Sequence, residues 1–346
     1  MVGLETFPAN LESNLDVQTG AADGLAGTKR TQWPRGKYEG DDNNEYHIIR
    51  YCYVNQEAAE KLDCKLKEAI QLWHNAFGGR PGAASGHSLV MKEVPGWTRL
   101  APDGTFVDER EYCFTAFNPG TRNGIWNSRV KNDVLAIEYD HSGRKSSTTG
   151  YTPENVLSIN WRHQLRLGDS AGGVVAAHII AHELGHVFGM LHEHQRKDRD
   201  NYVEYMPSNV NGFVAAMNRA LTDIVPKPSP GDVVQKLRDD WEFANNYGFL
   251  GTQYIKGDKE PGNPIDDPSG FDYDSIMLYP SSFGSIPNNN ACASDPRRCP
   301  LSKITKDKNG NVVKREHIRT KLTPSPKDAA FIKKYYPWPP IGAGQK

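Results

Sequence analysis

The sequence predicts an α+β protein: strand-like and helical runs fill its first half, and a loop-rich stretch follows. Two observations carry this. HIIRYCYV (47–54), EYCFTAF (111–117), DVLAIEYD (133–140) and NVLSIN (155–160) combine β-branched and aromatic residues in short runs. Two helical patterns are interleaved with and follow them, rather than alternating regularly with strands as a parallel α/β fold would require.

The first helix is EAAEKLDCKLKEAIQLWHNAF (57–77), whose apolar residues recur at helical spacing until Gly78-Gly79 stops it. The second is AAHIIAHELGHVFGM, with Gly189 as its stop. Beyond it, VPKPSPGD and KGDKEPGNPIDDPSG mark long irregular connections. A last helix, SPKDAAFIKKYY (325–336), precedes a Pro/Gly tail at 338–346. Residues 1–30 are polar, lack periodicity and end in the dibasic Lys29-Arg30, so they read as a flexible tail or a pro-segment.

A length of 346 residues allows a sizeable core, and the formal net charge of −1 gives no reason to expect nucleic acid or an anionic membrane as partner. The longest apolar run, AGGVVAAHIIA (171–181), is shorter than the ~18–20 residues that span a bilayer. The first twenty residues are acidic and polar where a secretory signal has a basic start and an apolar stretch, so export would require a signal removed beforehand. Of the five cysteines, Cys292 and Cys299 flank a loop and could close a local disulfide. Cys52 and Cys113 could pair across a sheet, and free thiols are the alternative for each.

The chemistry is concentrated in HIIAHELGHVFGMLHEHQRKDRDNYV (178–203), which holds five of the eleven histidines. His182 and His186 are four apart, so on a helix they share a face, ~6 Å apart along the axis, and their imidazoles can converge on one zinc. Glu183 sits between them as a base for a water on that zinc. His178 would be ~12 Å from His186 along the axis and suits packing instead. A third ligand needs a turn, because His192 would lie ~15 Å beyond His182 on a continued helix. Gly189 can take the positive φ that turns the chain back. On spacing alone both His192 and His194 remain open as the third ligand. Three protein ligands leave a position for water, as in catalytic rather than structural zinc sites.

These residues resemble the metzincin clan of zinc peptidases, and the continuation Glu193, Arg196, Asp198-Arg199-Asp200, Tyr202-Val203 resembles the astacin family's HExxHxxGxxHExxRxDRDxYV at each fixed position. FDYDSIMLYP (271–280) is similar to that family's YDYxSIMHY, with Leu278 where the family has His, and WPRG (33–36) to its WPxG start. The closing LTPSPKDAAFIKKYYP resembles its last helix, whereas its usual cysteine positions are not reproduced and 79–110 and 223–268 look like insertions.

The resemblance implies His192 as third ligand, with His194 at a variable position. Met277 would be the Met-turn residue beneath one zinc ion per chain. Tyr279 would ligate zinc at rest and swing off to stabilise the oxyanion. Glu193 would bind the N-terminus of the mature enzyme through water, with Thr31 freed by cleavage after Arg30. Arg196, Asp198, Arg199 and Asp200 would hold the loop, while Lys197 and Asn201 face solvent. Tyr38-Glu39-Gly40-Asp41 resembles an inhibitory pro-segment motif but sits after WPRG, where a surface turn is the expectation.

The implied architecture is a metzincin-like domain over 31–337. An N-terminal subdomain to about 189 would carry a twisted mixed sheet and two long helices. An irregular C-terminal subdomain (190–337) would hold the Met-turn and final helix, with zinc in the cleft between them. The implied activity is a secreted, monomeric zinc endopeptidase acting on proteins or peptides, with substrate extended along an edge strand within 141–160. The rivals are a zinc-stabilised binding protein on a peptidase scaffold and another HExxH hydrolase, such as a serralysin-like enzyme.

Overall fold

The computed structural model describes residues 31–38, 41–155, 157, 160–169, 173, 175–257, 270–287 and 291–338. The tail at 1–30 with Lys29-Arg30, half of the strand expected at 155–160 and the stretch 258–269 lie outside the described residues. The described chain divides into two compact units, one of residues 31–190 and 322–338, the other of 191–321.

The first unit is built on a mixed six-stranded sheet of β1 (Arg35–Tyr38), β2 (Asp41–Tyr53), β3 (Leu89–Glu93), β8 (Leu135–Tyr139), β9 (Lys145–Ser147) and β10 (His163–Leu167). The order is β1-β2-β8-β10-β9, with β3 also paired to β2. β2, β3, β8 and β10 pair in parallel, while β1 and β9 run antiparallel to their neighbours. β9 is therefore an edge strand, inside the range the sequence assigns to one. Two hairpins, β4–β5 (Trp97–Leu100, Phe106–Glu109) and β6–β7 (Phe114–Asn118, Asn123–Trp126), stand apart from the sheet.

α1 (Gln56–Phe77) begins where the Asn55 side chain accepts the Ala58 N–H and ends at Gly78, which takes φ 86°. Its buried stripe, Leu62, Leu66, Ala69, Trp73 and Phe77, follows the helical period. α2 (Ala177–Val187) carries the histidines. Trp73 Nε1 donates to Ala181 O at 2.9 Å, and Trp33 Nε1 donates to Val187 O at 2.7 Å. The tryptophan of the WPRG segment thus grips the end of the histidine helix.

Both candidate disulfides form rather than free thiols, Cys52–Cys113 in this unit and Cys292–Cys299 in the other, and Cys64 is free and exposed. Asp41, at the start of β2, accepts hydrogen bonds from Tyr46 Oη and Asn44, and residues 39–40 of the inhibitory-motif lookalike, where a surface turn is expected, lie outside the described residues.

The second unit contains more regular structure than the sequence suggests. α3 (Phe213–Asp223), α4 (Pro230–Asp239) and α5 (Trp241–Asn246) occupy much of what reads as loop. They surround a core that includes Tyr205, Phe213, Leu237, Phe249, Tyr254 and Leu278. β11 (Val203–Tyr205), β12 (Leu301–Lys306) and β13 (Val312–Glu316) form a small antiparallel sheet, and α6 (Ala291–Ser294) precedes β12 in the chain. The final helix, α7 (Pro326–Tyr335), is where the sequence places it, with a capping box from Ser325 and Asp328. It belongs to the first unit, however, rather than to the C-terminal subdomain expected to run to 337. Tyr336 explains this: it is fully buried, donates its hydroxyl to Phe188 O, and accepts the Ser88 N–H on its carbonyl.

Candidate metal centre

α2 presents His182 and His186 one turn apart, with ring centroids 5.1 Å apart and planes at 88°. The helix ends as expected. Gly189 takes φ 102°, its N–H donates to His186 O at 2.7 Å, and the Met190 N–H reaches Gly185 O at 2.9 Å. That conformation is open to glycine and strained for other residues. It reverses the chain within three residues of His192.

Over this short segment one ligand nitrogen from each of His182, His186 and His192 falls within 4.8 Å of the others, and His178 is not part of the group. The hydrogen bonds behind two of the rings suit metal binding. His186 Nδ1 lies 2.8 Å from Met190 O, and His192 Nδ1 lies 3.0 Å from Gln195 Oε1. A ring that donates through Nδ1 keeps its lone pair on Nε2, and such partners orient metal-binding histidines. Three imidazoles converging in this way fit the nitrogen donor set that a zinc ion takes.

His194 is excluded as a ligand by its own bonds. Its Nε2 lies 3.0 Å from Gln253 O, and its Nδ1 takes the Tyr279 N–H at 3.5 Å. One nitrogen donates and the other accepts, so binding metal would break one of these contacts. Fully buried, His194 stacks against His192 at 5.0 Å and lies tilted against Tyr279 at 4.5 Å between ring centroids. Spacing leaves this supporting role invisible.

Glu183 is buried on α2, and its Oε2 accepts a hydrogen bond of 2.8 Å from Ser147 Oγ on the edge strand β9. The Gly150 N–H reaches His186 O at 2.9 Å just beyond that strand. Ser147 lies in the unremarkable run KSSTT and carries no sequence signal for this contact.

In the second unit, Ser275 to Leu278 forms a turn closed by the Leu278 N–H on Ser275 O at 3.1 Å. Met277 is buried within it, and its carbonyl accepts the Glu193 N–H at 3.2 Å. Glu193 is buried and satisfied by this unit's own groups: Oε1 accepts the Asp272 N–H at 2.8 Å and lies 3.6 Å from Arg196 Nη1. The buried Arg196 forks onto both oxygens of Asp198 at 2.8 Å. Arg199, also buried, donates to His194 O and Tyr254 O. Lys197 and Asn201 are exposed. Tyr279 packs against His192 at 4.4 Å between ring centroids, and its hydroxyl donates to Gln253 Oε1 at 3.3 Å.

A second group of potential ligands, Cys292, Cys299 and His317, is equally close-set. Its two sulfurs are joined in the disulfide, which removes them as thiolate ligands.

Comparison with known proteins agrees with the geometry. Residues 160–221 match the family model described as Astacin, a peptidase family. That match takes in the histidine segment and its immediate flanks. Among individual proteins, Astacin-like metalloendopeptidase of Coturnix japonica is 57% identical over 35 residues, 10% of this chain and 9% of that protein. Nematocyst expressed protein 6 of Nematostella vectensis is 36% identical over 74 residues, 21% of this chain and 23% of that protein. The chain thus spans less than a quarter of the length of these relatives.

Among solved structures, the hatching enzyme zinc-protease High choriolytic enzyme 1 of Oryzias latipes is similar over 88% of this chain and 94% of its own, with 17% identity and a TM-score of 0.44. Myroilysin is similar over 89% and 96%, with 15% identity and a TM-score of 0.38. At those levels neither likeness carries weight here.

Proposed function

We propose that this chain is a zinc-dependent endopeptidase of astacin type, hydrolysing peptide bonds in proteins or peptides. The observation that carries the reading is the convergence of His182, His186 and His192, with Glu183 in the HExxH position between the first two. When bound, zinc supplies Lewis acidity and lowers the pKa of water toward ~7.

In this reading Glu183 takes the proton of the attacking water and returns it to the leaving amine. Ser147 keeps the Glu183 carboxylate in a single orientation by donating to Oε2. The Tyr279 hydroxyl donates to the oxyanion that develops on the scissile carbonyl. β9, an edge strand joined through Ser147 to Glu183, pairs with substrate in extended form. Two disulfides suit an oxidising, extracellular location. Cleavage after Arg30 would leave Thr31 at the start, already bridged to Tyr151 in both directions at 2.9 and 3.0 Å.

The test is Glu183→Ala, which keeps the three histidines. Zinc content by elemental analysis should stay at one ion per chain, while casein or peptide hydrolysis falls at least ~10²-fold. Unchanged hydrolysis by a folded, zinc-loaded variant would sink the assignment. Zinc loading with no activity in the parent protein would favour the binding-protein rival instead. Removing zinc with a chelator should abolish hydrolysis, and adding it back should restore it.

A further inference from the structure

Several arginines of the first unit face a carboxylate: Arg110 pairs with Glu93, Arg122 with Glu138, Arg129 with Glu111 and Arg166 with Asp140. Arg50 and Lys131 differ, for neither forms an ion pair among the described residues. Arg50 on β2 instead has Lys92 of β3 as its neighbour in register. Like charges set opposite one another weaken a sheet, and a bound anion would offset that cost. Lys92 places its ammonium over the Tyr38 ring at 5.3 Å, whereas Arg50 lines a pocket.

The pocket has a volume of about 190 Å³ and lies among the start of β1, β2 and the loop that leads into β8, all in the first unit. Its charged lining is Arg35, Arg50, Lys131 and Asp133. Three cations against one carboxylate leave a net +2, in a chain whose formal net charge is −1. Arg35 is fixed through its Nε, which donates to His47 Nε2 at 3.2 Å. Trp33 also lines the pocket, and its Nε1 donates to Val187 O at the end of α2. The pocket thus adjoins the residue that grips the histidine helix.

Volume and charge together decide the class of occupant. Pockets for drug-sized ligands run to about 300–1,000 Å³, so this one suits a single group. Guanidinium groups match oxyanions with paired N–H donors, and a net +2 suits a dianion better than a carboxylate.

We propose that this pocket is an anion site for a tetrahedral dianion, phosphate or sulfate, either as the free ion or as a group on a larger ligand. Arg50 and Lys131 supply the attraction, Arg35 orients the anion, and Asp133 limits affinity by repulsion. No metal takes part, so the site is independent of the peptidase reading.

The experiment is equilibrium dialysis of the full, zinc-loaded chain against radiolabelled inorganic phosphate at fixed ionic strength. The parent should bind one phosphate at this pocket with a Kd of about 0.1–1 mM, and added phosphate should raise its urea midpoint. Arg50→Gln should weaken binding roughly fivefold, Lys131→Gln roughly threefold, and the double variant should abolish it. Asp133→Asn, which lifts the repulsion, should tighten binding about threefold. Phosphate held on zinc would be insensitive to all of these, since none alters a histidine. Near-UV circular dichroism without phosphate checks that each variant keeps its fold. Sulfate should compete. O-phospho-L-serine binding more tightly than inorganic phosphate indicates a group carried by a larger ligand, and weaker binding indicates the free ion. Equal binding by the parent and the folded double variant, or none by the parent, overturns the proposal.

Discussion

Ser147 is the point at which the edge strand reaches the proposed base. Its hydroxyl lies 2.8 Å from Glu183 Oε2 and 2.9 Å from Glu183 O, so its single proton is shared between these two acceptors. Ser147→Ala should lower kcat by roughly five- to tenfold, the effect of about 1–1.4 kcal/mol of lost positioning, because a hydrogen bond to a charged group is worth somewhat more than a neutral one. Ser147→Thr keeps the hydroxyl and should recover most of the rate. An alanine variant with parental kcat would show that Glu183 holds its orientation unaided. Leu278 poses a different question, since it stands where the astacin pattern has histidine. It is 2% exposed and packs in the core cluster of the second unit, so an imidazole there would have to give up its hydration. Leu278→His should therefore destabilise the protein by about 1–3 kcal/mol, read as a lower urea midpoint. An unshifted midpoint would mean that the site has polar partners within reach.

At the scale of elements, the turn after α2 decides whether three histidines can meet. Gly189 holds φ 102°, so Gly189→Ala forces an unfavourable backbone at the point where the chain reverses toward His192. The strain is on the order of 1–2 kcal/mol. Because it acts where His186 and His192 are brought together, zinc affinity should fall by about tenfold or more alongside stability. Competition with a chromogenic chelator measures it, and unchanged affinity would refute the role. This turn was legible in advance, as were α1, α2 and α7, whose apolar period and end signals lie within their own sequence. β2 and β8 were legible for a similar reason, being apolar and bounded.

β10 was missed because HQLRL looks polar, yet all five residues are buried. Its Arg166 is made tolerable by Asp140 at 2.6 Å and Glu138 at 3.5 Å, partners that lie beyond its own sequence. α4 was missed because VPKPSPGD reads as a loop, although Pro230 opens this helix behind a Ser229 cap, a position proline favours. His194 and Gln253 were opaque for a third reason. Their roles depend on a contact between residues 59 apart in sequence, which spacing cannot convey. The two disulfides were legible as candidates and differ in loop length, with sequence separations of 61 and 7. On loop entropy the first should contribute about 4 kcal/mol and the second about 2. Cys52→Ser/Cys113→Ser should thus lower stability more than Cys292→Ser/Cys299→Ser in parallel urea melts, and the reverse order would overturn that ranking.

Across the whole molecule, three buried histidines outside the metal centre set how the protein answers to acid. Burial lowers His47 and His87 to about 4 and His163 to about 3, with Arg35 adding to the effect at His47 and Arg162 at His163. All three lie in the first unit. His47 packs edge-on to Tyr336, His87 tilts against Phe77, and His163 stacks on Tyr151 and lies against Trp33, so each imidazole is held as an uncharged ring. In the unfolded chain each has the ordinary value near 6.5. Between pH 6.5 and about 4 the unfolded state therefore binds more protons than the folded state, and stability falls as pH falls. Below about 3–4 the folded protein takes up the same protons and this contribution levels off. Carboxylates act lower down. Burial favours the neutral form of Asp140, but its Ser142 hydrogen bond and the Arg166 charge outweigh that and depress its pKa, so its stabilisation is lost only below its ordinary value near 3.8. The histidine window is thus open to separate measurement. His163→Gln keeps an acceptor for the Thr152 N–H, which His163 Nε2 receives at 2.9 Å, and removes the titrating ring. In urea melts from pH 7 to pH 4.5 the parent should lose stability steadily. The variant should lose less, by an amount approaching about 1.4 kcal/mol per pH unit in the lower half of that range. Parallel curves for parent and variant would show that His163 does not resist protonation in the folded protein.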